Sequence, residues 1–113
     1  MKIIYVDSNP YMGVYVVDDG VPKRVEFKEH LLAPYCELEA IYETLKAQKN
    51  GSEILLYNDN EVAMNVLNLD YGIHKKRLRE KCFDIWNLIE SKNLKVIFKW
   101  IPRRENKAGK VLG

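Results

Sequence analysis

Three carboxylates sit where apolar runs of the chain begin or end. Asp7 closes the run Ile3-Ile4-Tyr5-Val6, Asp59 follows Ile54-Leu55-Leu56-Tyr57-Asn58, and Glu37 opens Leu38-Glu39-Ala40-Ile41-Tyr42-Glu43-Thr44-Leu45. Singly, each has an ordinary role: Asp caps helices and forms turns, and Glu is favoured in a first helical turn by the helix dipole. Together, in the order strand end, helix, strand end, they suit metal-dependent cleavage of a phosphodiester. A divalent cation needs several oxygen ligands, and two neighbouring strand ends crossed by a helix can bring carboxylates together around it. Asp7, Glu37 and Asp59 are therefore the candidate catalytic and metal-ligating residues.

The elements that must position them are legible in the periodicity. Lys2–Asp7 is apolar on both faces, as an interior strand is. Ser8-Asn9-Pro10 is a turn, and Gly13–Val17 is a second strand. Asp18-Asp19-Gly20 is a hairpin signal leading into a third strand, Val21–Lys28, with Val21, Val25 and Phe27 on one face. A helix follows from Tyr35 to Gln48, closed by Asn50-Gly51. Its stripe is Leu38, Ile41, Tyr42 and Leu45, and at 100° per residue Glu37 lies about 80° from the centre of that stripe. Glu39 and Glu43 point well away, so of the three glutamates only Glu37 can look toward the sheet.

Ile54–Tyr57 reads as a parallel strand buried on both faces. A short helix, Asn60–Leu67, with Val62, Val66 and Leu69 inward, breaks at Asp70-Tyr71-Gly72. The next helix, His74–Ser91, carries Leu78, Cys82, Ile85, Trp86 and Ile89 in register. Lys95–Ile101 is the last strand, ended by Pro102, and Arg103–Gly113 has room for one or two helical turns. An antiparallel meander followed by alternating strands and helices predicts an α/β fold, a five-stranded mixed sheet with helices packed on it.

The 113 residues suffice for one core, so 1–113 is expected to form a single domain. Hydrophobic content of 47% with 30% charged residues is ordinary for a soluble globule. No apolar run approaches the roughly 20 residues that span a bilayer, and the N-terminus turns polar too early for a signal peptide. Cys36 and Cys82 match no metal-finger spacing and are expected to be buried, reduced thiols. A cytoplasmic protein without a membrane partner is the expectation.

The net charge of +2 is unevenly spread. Residues 1–70 carry 6 Lys/Arg against 12 Asp/Glu, hence −6, and residues 71–113 carry 12 against 4, hence +8. Such a split predicts an acidic, metal-binding first part and a basic second part that lies along a polyanion. The cations fall in two groups, Lys75, Lys76, Arg77, Arg79 and Lys81 in one helix, and Arg103, Arg104, Lys107 and Lys110 near the end. His30 and His74 have no carboxylate partner nearby in sequence and receive no role.

The order of elements and four local motifs resemble the ribonuclease H family. The stretch Tyr5-Val6-Asp7-Ser8-Asn9-Pro10-Tyr11-Met12-Gly13 is similar to the family's first-strand Asp followed by an Asn-Pro-Gly turn. Cys36-Glu37-Leu38-Glu39-Ala40 resembles its helical Glu segment, and Asp59-Asn60-Glu61-Val62 its fourth-strand Asp at a helix start. Ile101-Pro102-Arg103-Arg104-Glu105-Asn106-Lys107-Ala108 resembles the segment after its fifth strand. This likeness implies the ribonuclease H-like fold and two Mg²⁺ or Mn²⁺ ions held by Asp7, Glu37, Asp59 and the scissile phosphate. One ion would activate a water and the other would stabilise the leaving 3′ oxygen. It also places the segment after the fifth strand beside the metals, so Arg103, Arg104, Asn106, Lys107 and Lys110 are expected substrate contacts, and Asn9 and Tyr11, in the loop after Asp7, are expected to join them.

Three features depart from the family pattern. Its fourth acidic residue falls at Lys110. The segment that supplies asparagines to a hybrid is Leu31-Leu32-Ala33-Pro34-Tyr35, and Pro102-Arg103-Arg104 replaces a glycine-and-histidine loop. The chain also lacks the family's long basic protrusion and most of its last helix. The expected function is an endonuclease that hydrolyses the RNA strand of RNA/DNA hybrids. The alternatives are a nuclease of the same fold acting on another nucleic acid, and a degenerate member that binds nucleic acid or protein without cutting.

Overall fold

The computed structural model describes residues 1–69 and 73–112. Among them are the strands β1 (Lys2–Ser8), β2 (Met12–Val17), β3 (Lys23–Glu26), β4 (Glu53–Asn58) and β5 (Lys95–Trp100). The helices are α1 (Tyr35–Lys46), α2 (Glu61–Leu67), α3 (Lys76–Ser91) and the short α4 (Gly109–Leu112), preceded by a 3-10 turn at Arg103–Glu105. The strands form one sheet in the order β3-β2-β1-β4-β5. β1 runs antiparallel to β2 and parallel to β4, and β4 runs parallel to β5. The mixed sheet with an antiparallel meander at one side is as predicted.

The β2–β3 hairpin turns at Asp18 and Asp19, whose φ angles are 47° and 58°. Two left-handed residues in succession match the twist of the flanking strands, and Gly20 N–H donates to the Val17 carbonyl at 2.8 Å. β3 is shorter than the predicted Val21–Lys28. Pro22 has no N–H to give a ladder, and beyond Glu26 the pairing continues as Phe27 N–H donating to the Tyr11 carbonyl at 3.0 Å.

Helix α1 packs on β1, β2 and α3. It comes close to β2 because position 13 is glycine: a Cβ there would lie 2.7 Å from Ala40 Cβ. That approach brings Glu37, one turn before Ala40, against the strand ends. The main core gathers Ile4, Val6, Leu38, Ile41, Leu45, Ile54, Leu56, Met64, Cys82 and Ile85 on this side of the sheet. On the other side Val14, Val16 and Ala108 form a smaller cluster with Tyr5, Val111 and Leu112. Strand alternation puts Asp7, paired with Val14, on that second side.

The inward face of α2 differs from the predicted one. Val62 and Leu69 are exposed, while Ala63, Met64, Val66 and Leu67 are buried. At 100° per residue Glu61 and Asn65 share one face and Ala63, Val66 and Leu67 lie opposite it, which leaves Val62 at the edge of the apolar arc, and burying Met64 and Leu67 removes a large apolar area from water. The predicted break at Asp70-Tyr71-Gly72 lies outside the described residues. Cys36 and Cys82 are both free and buried. No described helix is long and apolar enough to cross a membrane.

Candidate metal centre

The three carboxylates converge. One oxygen from each of Asp7, Glu37 and Asp59 lies within 4.8 Å of the others. Asp7 is near the end of β1 and Asp59 directly follows β4, so the parallel pairing of those strands sets the two side by side. Glu37 comes down from the first turn of α1 and is 5% exposed, and Asp7 is 6% exposed. Neither Asp is the helix cap its type allows. Asn60 caps α2, its side-chain oxygen accepting the Ala63 N–H at 2.9 Å.

Burial is the chief electrostatic fact of the site. It pushes the Glu37 carboxyl up to about 8, against the lowering influence of hydrogen bonds from Ser8 and Asn58 and with added repulsion from Asp7 and Asp59. Burial also raises Asp7. The Ser8 N–H opposes that shift, Asp59 adds to it, and the positive charge of Arg103 opposes it. Among the described residues no lysine or arginine makes an ion pair with any of the three. The donors are all hard carboxylate oxygens, with no thiolate or imidazole, a set that suits a hard divalent cation.

A ring of neutral donors holds the carboxylates in place. Ser8 Oγ donates to Glu37 Oε1 at 2.6 Å, and Ser8 N–H donates to Asp7 Oδ1 at 2.8 Å. The side-chain amide of Asn58 donates to Glu37 Oε2 and also to the Val6 carbonyl, the latter at 2.9 Å. The Asn106 amide meets the same Val6 carbonyl at 2.9 Å and Asp59 Oδ2 at 3.1 Å. Trp100 Nε1 donates to the Asp59 backbone carbonyl at 3.0 Å. Both asparagines are buried, and no buried side-chain polar atom among the described residues lacks a partner.

The residues expected at the substrate divide in three. Arg103 and Arg104 are exposed on the 3-10 turn, and Arg103 is near enough to act on Asp7. Tyr11 is exposed on the loop after Asp7. Asn9 and Asn106 are instead committed to the protein: Asn9 Oδ1 accepts the N–H groups of Tyr11 and Met12 at 2.8 and 2.9 Å, and Asn106 is the buried brace just described. Lys107 pairs with Asp19 of the hairpin turn and lies over the Tyr5 ring. Lys110 is exposed on α4. From the other basic group, Arg77 places its guanidinium 4.4 Å above the ring of Tyr35 at the start of α1.

Ser8, Asn58 and Trp100 were not singled out by sequence. Asn58 left a signal: Ile54 and Leu56 are the inward residues of β4, and Asn58 continues that series with a polar group. A buried polar residue at such a position must find partners. Ser8 left none beyond its place next to Asp7, and Trp100, 41 residues from Asp59, left none.

No protein-family model matches this sequence, and no curated protein matches it. Solved structures do. LC11-RNase H1 in complex with an RNA/DNA hybrid superposes with a TM-score of 0.77 at 18% identity, covering 100% of both chains. RNase H1 from the halophilic archaeon Halobacterium salinarum gives 0.73 at 17%, covering 98% of this chain and 91% of that one. The N-terminal RNase H domain of a Mycobacterium tuberculosis protein gives 0.75 at 15%, covering 99% and 89%. This is the ribonuclease H-like fold.

Within this ribonuclease H-like frame, α4 reaches Asp7 through a residue other than Lys110. A Cβ at Gly109 would lie 2.8 Å from Asp7 Oδ2. The position aimed at the centre is thus Gly109, which has no side chain, and the exposed Lys110 comes after it. The reason lies in the short segment Asn106-Lys107-Ala108. Ala108 is buried against Val14 and Val16, and Asn106 is tied to Val6, which fixes the register of α4.

Proposed function

We propose that this protein is a metal-dependent endonuclease that hydrolyses the RNA strand of RNA/DNA hybrids, with residues 1–113 acting as one domain. The observation that carries the reading is the convergence of Asp7, Glu37 and Asp59 within 4.8 Å at the strand ends of a ribonuclease H-like fold. The hybrid-bound LC11-RNase H1 supports the choice of substrate. The three carboxylates would hold two Mg²⁺ or Mn²⁺ ions together with the scissile phosphate. When bound, such ions supply Lewis-acid chemistry, lowering the pKa of water and neutralising charge on the phosphate.

The chain's own contribution is preorganisation. Ser8 and Asn58 aim Glu37, Asn106 aims Asp59, and the links from both asparagines meet at the Val6 carbonyl. These donors keep the oxygens in place before any cation arrives, so little reorganisation is left for the reacting state. Burial excludes water from Glu37 and Asp7. Arg103, Arg104 and Lys110 are proposed to meet the phosphates flanking the cut, and Tyr11 to meet a nucleotide beside it.

The second reading, another nucleic-acid substrate or a non-cutting binder, is favoured by two observations. Gly109 leaves the centre with three carboxylates, and the segment Leu31-Leu32-Ala33-Pro34-Tyr35 carries no asparagine where hybrid-cleaving members place them. Cleavage of labelled hybrid, single-stranded RNA and duplex DNA, side by side with and without Mg²⁺, separates the three cases. Preferential hybrid cleavage supports the hybrid endonuclease, cleavage of another substrate supports a nuclease for that nucleic acid, and binding without cleavage supports the non-cutting binder.

A further inference from the structure

Four residues beyond Asp7 in the chain, the loop that follows β1 presents an aromatic pair. Tyr11 is 67% exposed, and its ring meets that of the exposed His30 edge-on, with centroids 5.0 Å apart and planes at 70°. The pair is held from two sides. Asn9 Oδ1 fixes the Tyr11 N–H, the Phe27 N–H donates to the Tyr11 carbonyl at 3.0 Å, and the Leu31 N–H donates to the Pro10 carbonyl at 2.9 Å. Leu31 is itself buried and anchors the segment next to His30. Exposed aromatic rings carried on a backbone that is held in place offer a flat binding face at little cost in ordering.

Position and charge narrow what that face would take. Tyr11 is four residues beyond Asp7, so their backbones are at most about 14 Å apart. At about 3.4 Å per nucleotide along a strand, a base on Tyr11 belongs within about four steps of the phosphate held at the carboxylates. The two rings border an open recess of about 370 Å³ that Phe27 also lines, the lower end of the usual size for a small-molecule site. Its charged lining is Glu26, Glu29 and Lys28, net negative, which disfavours a phosphate and leaves a neutral, flat group. The carboxylates there can accept from the exocyclic amines that bases carry.

We propose that Tyr11 and His30 form a stacking platform for one unpaired nucleobase within about four nucleotides of the scissile phosphate. The preferred substrate then carries an overhang or junction beside the cut. The inference rests on the nuclease reading given above. Inside a continuous duplex both faces of a base are already stacked, and freeing one costs energy. An unpaired base has a face to offer, and aromatic side chains bind it with little regard to its identity.

The test compares binding of a blunt RNA/DNA hybrid with that of the same hybrid bearing a single-stranded overhang, in Ca²⁺, by fluorescence anisotropy. 2-Aminopurine is placed at each of the first four unpaired positions in turn. The expected result is about tenfold tighter binding of the overhang hybrid by the parent, with fluorescence quenched at one position. Tyr11→Ala should abolish both the preference and the quench, Tyr11→Phe should keep both, and the salt slope should be the same for all three, since stacking neutralises no phosphate. Equal affinity of the parent for the two hybrids would overturn the platform, as would an equal loss on both in Tyr11→Ala. Metal-dependent cleavage without overhang preference overturns the platform alone, whereas absence of binding to any oligonucleotide overturns the nuclease reading as well.

Discussion

The side-chain amide of Asn58 binds the Glu37 carboxylate, and the same nitrogen reaches the Val6 carbonyl at 2.9 Å. Glu37 belongs to a helix and Val6 to a strand, so one buried amide joins the two elements that carry two of the three carboxylates. Asn58 Oδ1 accepts the Asn60 N–H at 2.8 Å and ties in the loop of the third. Asn58→Ala should cost about 1–3 kcal/mol, the range for leaving a buried polar group without its partner. Asn58→Asp should cost more, because it buries another carboxyl beside Glu37 in place of the donating amide, and Mg²⁺ should recover part of that loss. Thermal melts of both variants with and without Mg²⁺ measure this. Equal melting of parent and Asn58→Ala would show that the amide holds nothing in place.

The pH dependence of the metal-free protein is set by Glu37. Its carboxyl titrates near 8 in the folded chain against an ordinary value of 4.5. Between those values the folded state holds a proton that the unfolded chain has released, so stability is full below about pH 4.5 and is lost as pH rises through about 8. Asp7 shifts in the same direction and adds to the slope. Metal binding at pH 7 should therefore release protons, read by calorimetry in buffers of different ionisation enthalpy. Glu37→Gln should flatten the stability slope and remove most of the release. A metal-free protein whose stability rises from pH 5 to 8 would contradict the burial of an uncompensated Glu37.

Gly109 should tolerate no side chain without a shift of Asp7, because a Cβ would sit 2.8 Å from Asp7 Oδ2. Gly109→Ala is expected to lower the melting temperature and weaken Mg²⁺ binding, both visible in a metal titration followed by thermal melt. Lys110→Ala, on an exposed neighbour, should leave the metal titration as it is. A reversed order of effects would place Lys110 and not Gly109 at the centre.

Arg103 and Arg104 should each account for about one unit in the slope of log affinity against log salt when changed to alanine. Arg103→Ala should in addition raise the Asp7 carboxyl further, since its charge holds that group down. Filter binding across a salt series gives the slopes. An unchanged slope for both variants would move the phosphate track to the start of α3.

Much of the fold and of the centre was legible from the chain because the deciding signals are local. Asp7 and Asp59 stand at the ends of apolar runs, and the helical stripe of Leu38, Ile41 and Leu45 alone selects Glu37 from its neighbours Glu39 and Glu43. In the structure Glu37 is buried at the centre, while Glu39 pairs with Lys81 of α3. The features that were not legible depend on contacts distant in sequence. The bond from Asn106 to Val6 spans 100 residues, and nothing around Asn106 distinguishes a buried brace from a substrate contact. The inner face of α2 is different: Glu61 and Asn65 mark its outer face, and Ala63, Val66 and Leu67 opposite them are the inward series, with Val62 at the edge. The position facing Asp7 shifted from Lys110 to Gly109 because the packing of Ala108, not the count of residues from Asn106, sets where α4 approaches the centre.

The most direct test of the central claim is cleavage of a labelled RNA/DNA hybrid by the parent and by Asp59→Asn, with tenfold steps of Mg²⁺ from about micromolar to millimolar, the range over which weak oxygen sites fill. The account predicts Mg²⁺-dependent cutting of the RNA strand by the parent, and a folded Asp59→Asn variant with a rate lower by about two orders of magnitude or more, the scale on which losing a key electrostatic group acts. A folded parent that leaves the hybrid intact at every concentration of Mg²⁺ and of Mn²⁺, or an Asp59→Asn variant that cuts at the parent's rate, would contradict it.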